Sequence, residues 1–480
     1  MSLTVIGAVL ILVISLCFLK DMLNDKGQEL LKLSYFFVPF SGVSLYNIPA
    51  NSFYILPFTV TAGAWIFSEL LLAIRKKSAT IINVGNFVVI LLLLFGVAVA
   101  LSSLAPIFIN GADGYYGLNA DVGRYFPIMP SSIHLLQLIY VVIGLLFTIL
   151  VIGSLNTPKK VEVIIRIVMI SGAFTCVLGL IELVAFYLGL DYQTGWYHTV
   201  PTGDGSEKSV RIDGLLGIAR INSVAYETSN FAQHMLVIYA FIYYCRAEKL
   251  VIFSQSKDRT ISFLILFSLV MSISSTALFG LAIIYILYWA LSSWTIKRVF
   301  IAFINFVFVA SVLYVAYSQI PAIADIVDAF ILNKFNSGSA LSRFSASVNG
   351  LELFWRHPLI GIGFGVGPSS DLVIMLLSGV GIVGFMIFFL LVLVIVFRAS
   401  RQPVPKGFLV TQSDDVSSSL NRISVITNAF TFSFVVLLAI YQATGFSFRF
   451  GDFWALSALV VSCYLVRNRS AQQYLTKLHR

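Results

Sequence analysis

Apolar segments of about 20 residues recur along nearly the whole chain, and they constrain the fold more than any motif does. Of the 480 residues, 59% are hydrophobic and only 11% are charged, against roughly 25% charged in a soluble domain. A helix needs about 20 apolar residues to cross the hydrocarbon core of a bilayer. We therefore predict an all-α fold, a single polytopic membrane domain over residues 1–480 with about twelve or thirteen transmembrane helices.

Hydropathy also gives the approximate bounds of the spans. The segment 33–48 is short and contains Pro39 and Gly42, so it crosses the membrane, re-enters it or lies at its interface. The run 261–291 is too long for one span and carries serines near its middle, which favours two short helices. The other predicted spans are 3–19, 53–74, 81–104, 133–152, 161–190, 224–244, 299–317, 372–397, 423–444 and 453–466.

Basic residues gather on one side of these spans and predict the orientation. Alternating the spans places Arg75-Lys76-Lys77, Lys159-Lys160 and the tail from Arg467 on one face, which the positive-inside rule makes cytoplasmic. The segment 401–422 is then a cytoplasmic linker. These clusters account for the net charge of +9, so no nucleic-acid partner is predicted. Loops longer than about 15 residues are usually functional, so the outward loops should form the working face. They are 105–132, 191–222 and 318–371.

Five polar residues between positions 220 and 234 repeat at helical spacing. Because they lie three, four, three and four positions apart, they predict one face of a helix that follows the loop 191–222. Ionisable groups inside a span cost about 3 kcal/mol or more unless they face a partner or a cavity. The stripe therefore favours a polar pocket open to the outer side, which Glu182 also reaches. The alternative is a structural network that holds neighbouring helices together. The five residues are Arg220, Ser223, Glu227, Asn230 and His234.

The outer segment 339–371 combines an amphipathic helix with a glycine-rich turn. Apolar residues recur there every three or four positions, which predicts a helix on the bilayer surface that ends before Pro358. Arg343 and Ser347 fall on its other side. The glycines that follow, at every second position in 361–367, allow the backbone to approach a ligand or packed helices. The alternative is a re-entrant turn with its arginines merely at the interface. The apolar positions are Leu341, Phe344, Val348, Leu351 and Trp355.

These two regions resemble the signature regions of the bacterial O-antigen polymerase and ligase superfamily. Arg343-Phe344, followed by FWRHPLIGIGFG at 354–365 and by Gly381-Ile-Val-Gly384, is similar to one signature. Arg220 with YETSNFA at 226–232 is similar to the other. The ligases commonly carry His-Asn about eleven residues before the glycine that matches Gly381. This chain has Ser-Asp there, at positions 370 and 371, which favours a polymerase.

The resemblance implies a glycosyltransferase that polymerises undecaprenyl-diphosphate-linked oligosaccharide, as in O-antigen, capsule or exopolysaccharide. The reaction takes place at the outer face of the bacterial cytoplasmic (inner) membrane, toward the periplasm or exterior. Donor and acceptor are both lipid-linked, and a chain-length regulator protein is a further partner that the resemblance allows. The alternatives are an O-antigen ligase that transfers glycan to lipid A core, and a flippase or transporter. The chain has no repeat at half its length, which transporters usually have.

The reaction suggests roles for the polar residues. The lipid diphosphate gains charge as it leaves, and arginine binds phosphate oxygens bidentately. We therefore expect Arg220 and Arg343 to clamp the diphosphate, and Glu227 or His234 to orient or deprotonate the acceptor hydroxyl. The sequence has no DxD triad and no metal-type cysteine spacing, so neither a metal nor another cofactor is expected. The residues expected to bind substrate are Arg211, Ser223, Asn230, Ser347, Arg356, His357, Gly361 and Gly363.

Overall fold

The computed structural model of the chain is almost entirely helical. Within its described residues, seven helices are long and apolar enough to cross a membrane, so the chain is a helical membrane protein. The structure describes residues 2–24, 27–48, 53–76, 87–116, 125–190, 211–212, 219–291, 311, 317–319, 338–365, 369, 371–401, 415–444 and 448–478.

Long helices follow one another along the chain, with small antiparallel sheets in three of the connections. The helices of the first part are α1 (Val5–Asn24), α2 (Gln28–Phe36), α3 (Pro57–Lys76), α4 (Phe87–Ser102), α5 (Ala105–Ile109), α6 (Ser132–Ser154), α7 (Pro158–Tyr187), α8 (Thr228–Ala247), α9 (Gln255–Met271) and α10 (Ser275–Leu291). The helices of the second part are α11 (Gly338–Arg356), α12 (Leu372–Ser400), α13 (Asp415–Thr444) and α14 (Asp452–Leu478). The sheets are β1 (Ser2–Leu3), β2 (Tyr46–Ile48) and β3 (Phe53–Tyr54); β4 (Gly114–Tyr116) and β5 (Tyr125–Pro127); and β6 (Arg211–Ile212) and β7 (Ala219–Arg220).

Local signals in the sequence explain where several helices begin. Thr157 precedes α7, and its hydroxyl accepts a hydrogen bond from the Lys160 amide, while Pro158 occupies the first helical position. Ser254 caps α9 in the same way through the Lys257 amide. Such caps satisfy backbone N–H groups that have no partner inside the helix. The loops between these spans therefore end where the sequence supplies a cap.

Helices α13 and α14 form the centre of the molecule. They pack on each other, α13 also packs on α8, and α14 packs on α6. Trp454 of α14 is fully buried, and its indole lies where a Cβ on Gly144 would be, only 2.3 Å from that position. The outer helices, α1 among them, leave many large apolar side chains exposed. That pattern suits a protein whose surroundings are hydrocarbon rather than water.

Two predictions about short segments are settled by the helix bounds. The run 261–291 is divided between α9 and α10, and the break falls at Ile273, which has a left-handed φ of 44°. Two short helices are therefore confirmed. In the segment 33–48, helix α2 ends at Phe36 and is only about 14 Å long. A buried turn follows α2. The segment 33–48 therefore does not cross the membrane as a helix.

Other predicted segments start later or lie outside the described residues. Helix α13 begins at Asp415, so the predicted linker 401–422 is helical over its last eight residues. The predicted span 299–317 lies almost wholly outside the described residues, as do 191–210 and 320–337.

Candidate functional site

The five polar residues between positions 220 and 234 do not lie on one helical face. Helix α8 begins at Thr228, with Glu227 in the N-cap position, so only Asn230 and His234 are on the helix. Arg220 ends strand β7, directly opposite Arg211 of β6. The predicted helical stripe is therefore wrong for its first three members. Its members nevertheless occupy one continuous segment.

Contacts with α7 explain why this segment is not helical. The Ser223 amide donates to Glu182 Oε2 at 2.9 Å, and the Ser223 hydroxyl donates to the Thr175 carbonyl at 2.7 Å. Ser223 has a φ of 51°, a left-handed conformation that interrupts a helix. These bonds replace the helical hydrogen bonds that the spacing predicted. They also use Glu182, which is buried rather than open to the outer side.

The segment 220–227 lies deep alongside α7 rather than at its end. Thr175 precedes Tyr187, the last residue of α7, by about 18 Å of helix. Non-helical backbone at membrane depth is tolerated only where protein or a cavity satisfies its polar groups. The Glu182 and Thr175 contacts supply that here. A further short bond, 2.5 Å, joins the Thr228 hydroxyl to Asn222 Oδ1 and fixes the start of α8.

His234 is the centre of a buried hydrogen-bonded network. Its Nδ1 lies 2.6 Å from Asp452 Oδ1, and its Nε2 lies 3.3 Å from the Ser41 hydroxyl. The Tyr226 amide donates to the same hydroxyl at 3.1 Å. The side chains of His234 and Asp452 are only 1% and 4% exposed. The network thus joins α8 to α14 and to the turn after α2.

Arg449 lies over the same tyrosine, in the connection between α13 and α14. Its guanidinium carbon is 5.8 Å from the centre of the Tyr226 ring and 4.9 Å from that of Phe450. Sequence reasoning missed Arg449, Asp452 and Ser41. An acid at the head of an apolar segment is an ordinary helix-start signal, so Asp452 carried no functional information before its partner was known.

The cavity beside this network is apolar. Its volume is about 50 Å³, and its lining includes Tyr35, Met169 and Phe241. His234 and Asp452 supply polar groups to that lining. This cavity therefore differs from the open polar pocket predicted for the stripe.

Helix α11 has the predicted amphipathic character and ends before Pro358. Its buried residues include Ala346 and Leu353, and the helix packs against α12. The opposite face is exposed and apolar, with side chains that are 41–71% exposed. The exposed residues are the predicted ones, namely Leu341, Phe344, Val348, Leu351 and Trp355.

Arg343 and Ser347 lie one turn apart on α11. The Ser347 hydroxyl donates to the Arg343 carbonyl at 3.0 Å and also contacts the carboxylate of Asp371, the N-cap residue of α12. Arg343 is half-buried. Ser347 is therefore engaged in joining α11 to α12.

Arg356 and His357 converge on one carboxylate in the connection after α5. Arg356 Nη1 donates to Asp113 Oδ1 at 2.8 Å, and His357 Nε2 lies 2.8 Å from Asp113 Oδ2. Glu352 also accepts from Arg356, at 2.5 Å. The hydrogen bonds from His357 and Arg356 lower the pKa of Asp113. These two predicted substrate-binding residues thus tie α11 to the β4–β5 hairpin, and sequence reasoning missed Asp113.

The glycine turn packs against a kink in α12. Gly381 has a φ of 66° inside that helix. The Ile362 amide donates to the Ser378 carbonyl at 2.8 Å, and the Gly363 amide donates to the Gly379 carbonyl at 3.2 Å. A Cβ on Gly361 would lie 2.5 Å from the Gly379 carbonyl oxygen. Of the two uses predicted for these glycines, packing against a helix is the one that these contacts explain.

Contacts at the ends of α12 and α13 connect the two regions. Ser347 contacts Asp371, and two residues later the Val373 amide donates to Gln442 Oε1 near the end of α13 at 3.3 Å. The chain then continues to Arg449, over Tyr226. Contacts therefore lead from Ser347 to Gln442 near the end of α13, seven residues before Arg449. A shared clamp formed by the two arginines stays a prediction.

The described residues contain no cluster of three or more His, Cys, Asp or Glu side chains that could hold a metal ion. Comparison with protein-family models gave no match, and comparison with curated proteins gave no significant relative. The fold therefore defines a helical membrane protein, and any function rests on the chemistry of its residues.

Proposed function

We propose that the chain is a polysaccharide polymerase of the bacterial cytoplasmic membrane, with about twelve or thirteen spans and its site on the extracytoplasmic side. It transfers a growing glycan from one undecaprenyl diphosphate onto a second lipid-linked repeat unit. The observation that carries the proposal is the non-helical segment 220–227. It lies beside α7 through the Ser223 contacts and carries Arg220 at its β7 end and Glu227 at its α8 end, at a depth where polar groups usually serve function.

The reaction needs a cation for the leaving group and a base for the acceptor. The acceptor hydroxyl oxygen forms a bond to the anomeric carbon of the donor while the bond from that carbon to the diphosphate breaks. The hydroxyl proton passes to the base, and the lipid diphosphate leaves with its added negative charge. Arg220 and Arg343 are suited to hold that diphosphate because guanidinium groups bind phosphate oxygens in pairs.

Glu227 is a better candidate for the base than His234. Both ring nitrogens of His234 already contact protein groups, Asp452 and Ser41, and the side chain is buried. Glu227 is only partly buried and lies at the start of α8, where its carboxylate contacts the Ser229 hydroxyl at 3.3 Å. A catalytic base must reach the proton that it removes.

Helix α11 suits a lipid-linked substrate. Its exposed apolar face matches a helix that lies in the membrane interface, with Arg343 on a half-buried side. A polyprenyl carrier that diffuses within the bilayer then meets α11 before its diphosphate reaches the arginines.

The test is an assay of the purified full-length protein with undecaprenyl-diphosphate-linked repeat units. Wild-type protein should produce a ladder of longer glycans. Arg220→Ala and Arg343→Ala should each lower the rate by about 100-fold, because two charge-assisted hydrogen bonds are lost. Arg75→Ala is the matched control, since Arg75 lies at the predicted cytoplasmic end of α3. Wild-type chain length in either variant would refute the clamp.

Transport of the lipid-linked oligosaccharide is the second candidate. Interrupted helices at membrane depth are typical of transporters, and the non-helical segment 220–227 has that character. Uptake into vesicles without ladders would favour transport. Glycan transfer to lipid A core alone would favour a ligase.

A further inference from the structure

Tyr226 is held at two points by one short stretch of the chain. Arg449 lies over its ring. Asp452, three residues later, holds its backbone amide through His234 and Ser41. A neighbouring bond, from the Gly42 amide to the Val224 carbonyl at 2.8 Å, fixes the preceding residues. The residue that follows Tyr226 is Glu227.

The hydrogen bonds that lead from Tyr226 to Asp452 can all point in one direction. The Tyr226 amide donates to the Ser41 oxygen. The Ser41 hydroxyl is then free to donate to His234 Nε2, and His234 Nδ1–H donates to Asp452. The Tyr441 hydroxyl donates to the second oxygen of that carboxylate at 3.5 Å. Because Ser41 and His234 each act both as acceptor and as donor, the bonds from Tyr226 to Asp452 are cooperative and hold one geometry.

We infer that Ser41, His234 and Asp452 are positioning residues that fix Glu227 through Tyr226. This inference rests on the proposed function, because it assumes that Glu227 acts on the acceptor hydroxyl. Under this inference His234 is not the base. It is a residue that holds the base, Glu227, in position. The start of α14 is then also a part of the site.

The same three residues have the connectivity of a nucleophilic triad, but their surroundings favour positioning. Ser41 is 1% exposed. Its oxygen already accepts the Tyr226 amide at 3.1 Å, and the apolar cavity that His234 and Asp452 border does not include Ser41 in its lining. A serine nucleophile must reach an electrophilic carbon, whereas a positioning serine must only keep its two contacts.

The test compares Ser41→Ala with Ser433→Ala in the full-length protein. Both residues are buried serines, but the Ser433 hydroxyl donates within its own helix, to the Ala429 carbonyl. Ser41→Ala should lower kcat about tenfold, the equivalent of one lost hydrogen bond, and leave KM for the lipid-linked donor unchanged. Hydrogen exchange of the peptide containing Tyr226 should become faster, while the exchange of α13 stays the same. Asp452→Asn should show the same split between kcat and KM.

Two results would overturn the inference. One is wild-type kcat per folded molecule in both Ser41→Ala and Asp452→Asn. The other is an equal loss of kcat in Ser433→Ala, since a general loss of stability would then explain the effect of Ser41→Ala. If the wild type forms no ladder at all, the proposed function fails, and the exchange experiment still decides whether Ser41 holds Tyr226. Unchanged exchange of that peptide in Ser41→Ala would refute the contact itself.

Discussion

Two histidine–aspartate pairs among the described residues have nearly equal geometry but opposite surroundings. His234 and Asp452 are 2.6 Å apart, with side chains 1% and 4% exposed. His357 and Asp113 are 2.8 Å apart, with side chains 25% and 24% exposed. Burial, not distance, decides what such a pair contributes, because removing one buried partner leaves a charge that water cannot solvate. At the surface, water replaces much of the lost contact.

The largest effect is therefore expected from His234→Ala. It should lower the free energy of unfolding by about 3–5 kcal/mol, because Asp452 is left buried without its partner. Chemical unfolding in detergent measures this change. Replacing His234 and Asp452 together by leucine should cost less than His234→Ala alone. A loss below about 1 kcal/mol in His234→Ala would show that the two pairs are equivalent.

Gly361→Ala should have the second-largest effect and lower the free energy of unfolding by about 2 kcal/mol or more. Gly361 has a φ of 71°, and an added Cβ would lie 2.5 Å from the Gly379 backbone. Gly63→Ala is the control, because Gly63 lies in α3 and has no atom within 4 Å of a new Cβ. The control should be neutral or slightly stabilising. Equal effects in the two variants would contradict the packing role of the glycine turn.

Asp113→Asn should lower the free energy of unfolding by only about 0.2–1 kcal/mol at neutral pH. The pKa of Asp113 is lowered by the hydrogen bonds from His357 and Arg356. The stabilisation that Asp113 gives to the folded state is therefore present above the unfolded pKa of about 3.9. It is lost as the pH falls through the pKa of Asp113 in the folded state. Unfolding measured between about pH 5 and pH 3 should show this dependence in the wild type but less of it in Asp113→Asn. Identical pH curves would show that the contact does not form.

Trp355→Gln should have the smallest effect on stability, within about 0.5 kcal/mol. Trp355 is 71% exposed on the apolar face of α11. If that face lies in the bilayer interface, brominated lipids should quench the fluorescence of Trp355. The difference in quenching between the wild type and Trp355→Phe measures the contact of Trp355 with lipid. Equal quenching in the wild type and in Trp355→Phe would place α11 away from the lipid.

The sequence predicts elements that depend on local periodicity. The apolar positions of α11 repeat every three or four residues, and the same residues form its exposed face. The serines in 261–291 indicate the break between α9 and α10. In each case the forces that set the element act between residues close in the chain.

The contacts of the candidate site were not predictable in the same way. The spacing of Arg220, Ser223 and Glu227 is helical, but Glu182 binds the Ser223 amide from 41 residues away and holds a different conformation. Asp452 lies 218 residues from His234. Periodicity describes a helix face and contains no information about which distant group will bind there.

The kink in α12 has a consequence for biosynthesis. Segment 358–363 exchanges three hydrogen bonds with residues 378–382, including one from the Ile382 amide to the Pro358 carbonyl at 2.8 Å. The Ser378 and Gly379 carbonyls and the Ile382 amide, which the kink leaves without helical partners, would be costly in lipid without these bonds. Because the ribosome makes 358–363 first, the partners already exist when α12 leaves the translocation channel. The two segments should therefore enter the membrane as one unit, in which the glycine turn supplies hydrogen-bond partners to the bent helix.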